Sequence, residues 1–347
     1  MTVFLLLLAC QGSDPEPVDG TSDDTELGPT GETGVSTTDT SPTDASAVTG
    51  ATGTTGTTAD TGTAPTWDCA ALPPAPAVTR LLGPPPSEDF AFDALGHLAS
   101  FDGTLLVLST YPPGAVTPIA SSLGSGGGPA SLRYLPGSGH FVFHDVDTST
   151  LYEVDPAVGS VVPVFSGFGY AGAIEVRSDE LLYVVDLLGL HLIDPTTGWH
   201  ALTMQQATWG SPNGASLSVD GATLYVSARE GVWAVPLNVD GHPSGIPTLW
   251  AAAPSDAWEM LGMGVDACDH VYVVGSTVSG VSTLWRYAAG GGATPEVLLE
   301  RPGAWLTNLQ WGSGVGGWDE QVLYVVDREI GAGGYDAVAV GVPEKPR

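Results

Sequence analysis

Basic residues are scarce in this chain of 347 residues, which has 9 Lys and Arg against 39 Asp and Glu and a formal net charge of −30. No Lys or Arg precedes Arg80. Nucleic-acid binding needs clustered Lys and Arg to neutralise phosphates, and docking onto an anionic membrane surface uses the same side chains. The composition therefore argues against a nucleic-acid partner and favours an acidic, soluble surface.

Long apolar runs are also lacking, and the N-terminal run MTVFLLLLAC is too short to span a bilayer. Its end, Leu7-Leu8-Ala9-Cys10, resembles the lipobox of bacterial lipoprotein signals, although no positive residue precedes it and Leu8 is larger than the usual occupant. The resemblance implies a signal peptide over residues 1–10, lipidation of Cys10 and export to the bacterial cell envelope. The lipid would anchor the protein at the outer membrane or cell surface. An ordinary short signal peptide is the alternative, and it also exports the chain.

Large apolar residues are almost absent from residues 11–66, which consist mainly of Thr, Ser, Gly, Pro, Ala and Asp. Such a segment buries too little surface to offset the entropy lost on ordering, and its acidic side chains repel one another. We therefore predict a disordered linker over 11–66. Residues 67–343 are enough for one large all-β domain, and 344–347 form a short tail.

Cysteine is rare as well, with only Cys10, Cys69 and Cys268. If Cys10 carries a lipid, an even pair remains in an exported chain, where disulfides form and persist. We predict a disulfide between Cys69 and Cys268. It would close a loop worth about 5 kcal/mol in the chain-entropy treatment. Two buried thiols are the alternative.

Sustained helical periodicity is missing too, and six degenerate repeats take its place. Each has an alternating strand, a turn and an apolar strand that is followed by further short strands. The repeats begin at Ser87, Pro129, Ala171, Ser211, Leu261 and Thr307. Starts between about 40 and 50 residues apart suit four antiparallel strands per unit, which predicts a six-bladed β-propeller. The last repeat supplies about three strands, so residues 75–83 are expected to add its outer strand and close the ring.

Three segments resemble a known family: SEDFAFDALGHL from Ser87, PNGASLSVDGATLYVS from Pro212, and TNLQWG from Thr307 with the later LYVVD. Over residues 76–343 they are similar to the senescence marker protein/gluconolactonase family of six-bladed propellers, which is related to strictosidine-synthase-like proteins. The resemblance implies a calcium-dependent lactonase. Its metal would lie at the mouth of the central channel, held by Glu, Asn and Asp side chains at the start of innermost strands.

The resemblance assigns the metal ligands to Glu88 in blade one, Asn213 in blade four and Asn308 in blade six. Two family positions are lost, because the third-blade asparagine aligns with Gly172 and the fifth-blade aspartate with Leu261. Ca²⁺ takes about six to eight oxygen ligands and binds more tightly as carboxylates are added. Three side chains with one charge therefore predict weak binding unless another carboxylate joins them.

Two functional hypotheses follow from these residues. In the first, the protein is a metal-dependent hydrolase in which Ca²⁺ or another divalent cation polarises an ester carbonyl. Glu259, two residues before Leu261, then joins the site and acts as the base. In the second, the protein is a non-catalytic binding or structural propeller at the cell envelope, since the lost positions impair catalysis. A small-molecule ligand or an envelope component is the expected partner of a monomer.

Two other sets of residues receive structural interpretations. Three aspartates that end second strands are expected to cap turns through the backbone: Asp145, Asp186 and Asp327. Three tryptophans of the last repeat are expected to pack between blades: Trp305, Trp311 and Trp318.

Overall fold

A computed structural model of the protein describes residues 68–69, 72, 76–112, 114–120, 129–170, 172–205, 209–292, 294–329 and 333–346. The predicted signal peptide, Cys10 and the linker 11–66 lie outside the described residues. No helix in the described ranges is long and apolar enough to cross a membrane.

The described residues form six antiparallel sheets of four strands each, which confirms the all-β, six-bladed propeller. Strand β1 (Val78–Leu81) comes first in the chain and belongs to the last blade. Blade one contains β2 (Ala91–Phe92), β3 (Leu98–Asp102), β4 (Leu105–Ser109) and β5 (Val116–Ala120). Blade two contains β6 (Pro129–Leu135), β7 (His140–Asp145), β8 (Thr150–Asp155) and β9 (Ser160–Ser166). Blade three contains β10 (Ala173–Val176), β11 (Leu182–Val185), β12 (Gly189–Asp194) and β13 (Trp199–Gln205).

The later blades repeat the same order from the innermost to the outermost strand. Blade four contains β14 (Pro212–Leu217), β15 (Thr223–Ala228), β16 (Gly231–Pro236) and β17 (Thr248–Ala252). Blade five contains β18 (Ala257–Val265), β19 (Val271–Thr277), β20 (Val281–Tyr287) and β21 (Glu296–Pro302). Blade six contains β22 (Leu306–Trp311), β23 (Val322–Asp327), β24 (Gly334–Ala339) and β1.

The hydrophobic core is divided among the interfaces between neighbouring blades. Each of six apolar clusters joins one pair of blades, and the last joins blade six to blade one. In that last cluster Phe92 lies 5.0 Å from Trp318 and 5.4 Å from Tyr324 between ring centroids. Middle strands such as β11 are buried along their whole length, because a neighbouring blade covers each face. This explains the apolar runs that the sequence shows in second strands.

Strand β1 closes the ring, as the sequence predicted for residues 75–83. It pairs antiparallel with β24, with Val78 opposite Val338. Arg80 anchors the closing strand, since its guanidinium lies 2.7 Å from a carboxylate oxygen of Asp327 and 3.2 Å from one of Asp336. The outer edge of blade six is therefore formed by a segment that precedes blade one.

A disulfide joins Cys69 to Cys268, with their Cα atoms 5.6 Å apart and a sequence separation of 199. Cys69 precedes β1, and Cys268 lies in the turn between β18 and β19. The bond ties the segment that leads into the closing strand to blade five.

The chain beyond Pro343, which the sequence suggested was a tail, packs against the propeller. The backbone N–H of Lys345 donates to the carbonyl of Val265 at 3.1 Å. Its ammonium lies 2.9 Å from the carboxylate of Glu175 and donates to the hydroxyl of Ser216 at 2.8 Å. The Lys345 side chain is only 4 % exposed, so this segment belongs to the folded domain.

Candidate functional site

The N-terminal ends of the innermost strands surround a cavity of about 310 Å³ at the mouth of the central channel. Three of the candidate metal-binding and catalytic residues line it: Glu88, Asn213 and Glu259. The rest of the lining consists of Tyr170, Ser211, Arg229, Trp258, Leu261 and Trp305. The repeat architecture explains this convergence, because each of these residues lies at or near the same end of its blade.

Glu88 forms an ion pair with Arg328, whose side chain comes from the segment after β23. The Arg328 guanidinium also lies over the ring of Trp305, 5.2 Å from its centroid. Burial raises the pKa of Glu88, the charge of Arg328 opposes the rise, and the charge of Glu259 adds to it. Glu259 is therefore close enough for its charge to raise the pKa of Glu88.

Asn213 lies in the cavity wall near the start of β14. Its amide N–H group is 3.4 Å from the carbonyl of Met260 and 3.5 Å from that of Ser211, so both hydrogen bonds are long. Gly172 lies against this residue: a Cβ at Gly172 would come within 2.9 Å of the Asn213 Cα. The missing third-blade ligand is thus a position with no room for a side chain in this backbone arrangement.

Asn308 is not among the residues that line the cavity. Its side chain is buried, and its amide oxygen accepts the N–H of Leu309 at 2.7 Å. The same oxygen faces Gly262, where a Cβ would collide with it. The Asn308 amide oxygen is thus already engaged by the backbone N–H of Leu309, and its role as a metal ligand stays a prediction.

Glu259 and Leu261 lie on β18, whose register with β19 shifts on both sides of Glu259. The carbonyl of Leu261 accepts a hydrogen bond from the hydroxyl of Ser227. Burial raises the pKa of Glu259, and a hydrogen bond from Ser276 opposes that rise. The irregular strand brings the Glu259 carboxylate into the cavity two residues before the position that lost its aspartate.

The side chains at the mouth do not fit a calcium ion. Ca²⁺ takes about six to eight oxygen ligands, including carboxylates. Glu88 is already engaged by the guanidinium of Arg328, and Asn308 is buried in other contacts. A divalent cation at Glu88 would face the permanent charge of Arg328. We therefore derive no chemistry through a metal at this site.

Elsewhere in the described residues, one group brings three metal-ligating side chains together: Asp266, Cys268 and His270. The Cys268 sulfur belongs to the disulfide. One carboxylate oxygen of Asp266 accepts the backbone N–H groups of Cys268 and His270 at 2.8 and 2.9 Å. This group is a capped turn.

Sequence reasoning missed the aromatic and cationic residues of the mouth. Trp258 and Trp305 are 56 % and 47 % exposed, and an arginine lies over each ring. Trp305 was predicted to pack between blades; it lines the cavity instead, whereas Trp311 and Trp318 are buried as predicted. One signal was available for Arg328: it directly follows the second-strand aspartate Asp327 in a chain with few basic residues.

Tyr170 adds a hydroxyl to the mouth. Burial raises its pKa, and the charge of Glu88 strengthens the effect. The phenol therefore stays protonated at neutral pH and can donate a hydrogen bond.

The sequence matches no family profile and no curated protein. Solved structures do match the fold. A gluconolactonase from Xanthomonas campestris is 17 % identical, with a TM-score of 0.56, and the match covers 77 % of this chain and 89 % of that one. A regucalcin from Agrobacterium tumefaciens, described as calcium-binding, is 18 % identical with a TM-score of 0.57, covering 78 % and 93 %.

A third match is an aldose sugar dehydrogenase from Streptomyces coelicolor in its PQQ-bound form. It is 16 % identical with a TM-score of 0.56, and the match covers 78 % of this chain and 99 % of that one. The chain is thus a propeller that resembles gluconolactonase and regucalcin in fold. Because the same likeness extends to a dehydrogenase, the fold does not select the chemistry, and the side chains of the mouth must do so.

Proposed function

We propose that this protein is a binding module that holds a small organic ligand at the channel mouth with its own side chains and without a metal ion. The ion pair between Arg328 and Glu88 carries the proposal. It lies at the carboxylate to which the family resemblance assigns the metal. An arginine side chain is always charged in proteins, so the mouth contains a cation that is part of the chain.

The remaining walls suit a small ligand. Binding sites for small molecules are mostly apolar and aromatic, with a few polar groups that orient the ligand. Here Trp258 and Trp305 present exposed rings. Asn213 makes only long hydrogen bonds, which a ligand can replace at little cost. The volume of about 310 Å³ is at the lower end of the usual range for ligand pockets.

The proposed setting is the bacterial cell envelope, with the propeller attached through a lipid on Cys10. The acidic segment 11–66 supports this part of the proposal, because its composition suits a spacer between a lipid anchor and a folded domain. The net charge of −30 opposes a nucleic-acid partner. A small envelope component is therefore the expected ligand.

Calcium titration of the purified full chain tests the absence of a metal. We expect no binding heat with millimolar CaCl₂, and no change in Tm when the metal or a chelator is added. The matched variant Arg328→Gln frees Glu88 next to Glu259 and Asn213, so it is expected to gain stabilisation by Ca²⁺. Stoichiometric, micromolar binding of Ca²⁺ by the wild-type protein would overturn the proposal.

A hydrolase of the lactonase type is the second candidate. It is favoured by one observation: Glu259 shares the cavity with Glu88 and Asn213, and burial raises its pKa in the direction that suits general acid–base work. Hydrolysis of gluconolactone is the direct assay, run with and without Ca²⁺. Turnover that is lost in Glu259→Gln while the fold persists would select this candidate over the binding module.

A further inference from the structure

Arg229 is an exception among the Lys and Arg residues that the structure describes. Each of the others forms a salt bridge with an Asp or Glu side chain. Arg229 is exposed and has no carboxylate partner within the described ranges; its guanidinium lies over Trp258, 5.0 Å from the ring centroid. Acidic residues are abundant in this chain, so a cation without one at a cavity rim is available to an external anion.

Glu259 is the complementary case in the same cavity. It forms no salt bridge with a described residue, although it is partly buried at the start of β18. Burial raises the pKa of this carboxyl, which means that its ionised form is poorly solvated. A cation supplied by a ligand would stabilise that form.

The other charges of the mouth cancel. Glu88 and Arg328 neutralise each other, which leaves one positive charge on Arg229 and one negative charge on Glu259. Trp258 is close to both groups: the guanidinium of Arg229 lies over its ring, and Glu259 is the next residue in sequence. The exposed ring of Trp305 adds a second apolar wall.

We propose that the mouth binds a small zwitterion of the free amino acid class, with its carboxylate on Arg229 and its ammonium on Glu259. A guanidinium offers two parallel N–H groups that match a carboxylate. An ammonium donates to a carboxylate and is also attracted to tryptophan faces. An apolar side chain on the ligand would contact Trp258 and Trp305. The inference rests on the proposed function, because it requires Glu259 to be free of a metal.

Three matched probes test this assignment by calorimetry with the full chain at pH 7 and low ionic strength. L-Phenylalanine carries both charges, 3-phenylpropanoate only the carboxylate, and phenethylamine only the ammonium. We expect phenylalanine to bind at least about tenfold more tightly than either one-ended probe, since it gains both ionic contacts.

Two variants assign each end of the ligand. Arg229→Gln is expected to weaken phenylalanine and phenylpropanoate by about tenfold and to leave phenethylamine unchanged. Glu259→Gln is expected to weaken phenylalanine and phenethylamine and to spare phenylpropanoate. Glu320→Gln is the control, because Glu320 is exposed in the turn between β22 and β23, at the opposite end of the innermost strands.

The outcomes separate the two proposals. The zwitterion assignment is overturned if phenylpropanoate or phenethylamine binds as tightly as phenylalanine, or if the variants do not show these selective losses. Either result leaves the proposal of metal-free binding intact. No binding of any probe at millimolar concentration, with or without Ca²⁺, also overturns the assignment. Binding that occurs only after Ca²⁺ is added overturns the proposed function and this inference together.

Discussion

Arg328 determines the charge of the channel mouth without contributing much to folding. It is 41 % exposed and its partner Glu88 is 21 % exposed. Ion pairs near the surface are screened by water and typically contribute about 0–1 kcal/mol to stability. The main effect of the ion pair is therefore on the electrostatics of the mouth, where it places a guanidinium beside the Glu88 carboxylate. Replacing Arg328 should change what the mouth binds far more than how stable the domain is.

The protonation state of Glu259 affects the free energy of unfolding of the domain. Burial raises the pKa of this carboxyl, so the folded state holds the proton more tightly than the unfolded state does. The stabilising effect of protonation is complete below the ordinary carboxyl pKa, and it is lost as pH rises through the raised value. Glu259→Gln removes this titration, so the variant should be more stable than wild type at pH 7 and nearly equal to it at pH 4.

Urea unfolding at both pH values measures this difference. Glu320→Gln serves as the matched control, because Glu320 is exposed and its replacement should leave stability unchanged at either pH. An equal stability of Glu259→Gln and wild type at pH 7 would contradict the prediction.

Local residue patterns were predictable from sequence, as were the Cys69–Cys268 disulfide and the closing strand, whereas the ion pair of the channel mouth was not. Asp186 was expected to cap a turn, and its carboxylate accepts the backbone N–H groups of Leu188 and Gly189 at 2.8 Å. That motif needs only neighbouring residues. Glu88 and Arg328 are 240 residues apart, and no local spacing indicates that they meet. The sequence therefore indicated Glu88, Asn213 and Glu259, which line one cavity, but not the guanidinium that pairs with Glu88.

Strand β1 is held to blade six by an arginine that pairs with two aspartates. Asp336 of β24 is fully buried. Its carboxylate accepts a hydrogen bond from Arg80 at 3.2 Å and another from Arg301 of blade five at 2.7 Å. A buried carboxylate needs such partners because desolvation of an unpaired charge is costly. Arg80 of the closing strand thus pairs with a carboxylate that also pairs with Arg301 of blade five.

Arg80→Ala should weaken this closure. The variant loses the contacts to Asp327 and Asp336, while Arg301 still compensates the charge of Asp336. We expect the free energy of unfolding to fall by about 1–3 kcal/mol. Urea denaturation provides the measurement, with Thr79→Ala, an exposed position on the same strand, as the control. The prediction is wrong if the two variants are equally stable.

The repeats predict the number and order of the strands. They do not predict the β-bulges, which decide where some side chains point. The register of β14 with β15 shifts between Pro212 and Gly214, and that of β18 with β19 shifts around Glu259. A bulge turns a residue away from the face that strict alternation would give it. The alternation of apolar residues therefore predicts where the strands lie. It does not predict which way the side chains of Asn213 and Glu259 point, because that depends on the bulges.

For the whole molecule, the ring is fastened twice by residues that precede blade one. Strand β1 completes blade six, and the disulfide from Cys69 reaches blade five. Six blades were predictable because the repeat length leaves room for four strands each and the last repeat is one strand short. The ring shape follows from closure, since it leaves no blade without two neighbours.

Reduction of the disulfide should lower the stability of the whole domain. The bond spans 199 residues, and a loop of this size is worth about 5 kcal/mol at most in the chain-entropy treatment. Dithiothreitol should therefore lower the Tm of the wild-type protein and leave that of Cys268→Ser unchanged. A wild-type Tm that does not respond to reductant, with the loss of the bond verified by mass, would contradict this expectation.

Closure of blade six by β1 has a consequence for how the chain matures. Arg80 and its partner Asp336 are 256 residues apart, so β1, which precedes the other described strands, has no partner strand until nearly the whole propeller has been synthesised. During that interval its hydrogen-bonding edge is open to other chains. Thr79 is exposed in the folded domain and Arg80 carries a charge, and polar or charged side chains on an unpaired strand oppose its association with other strands.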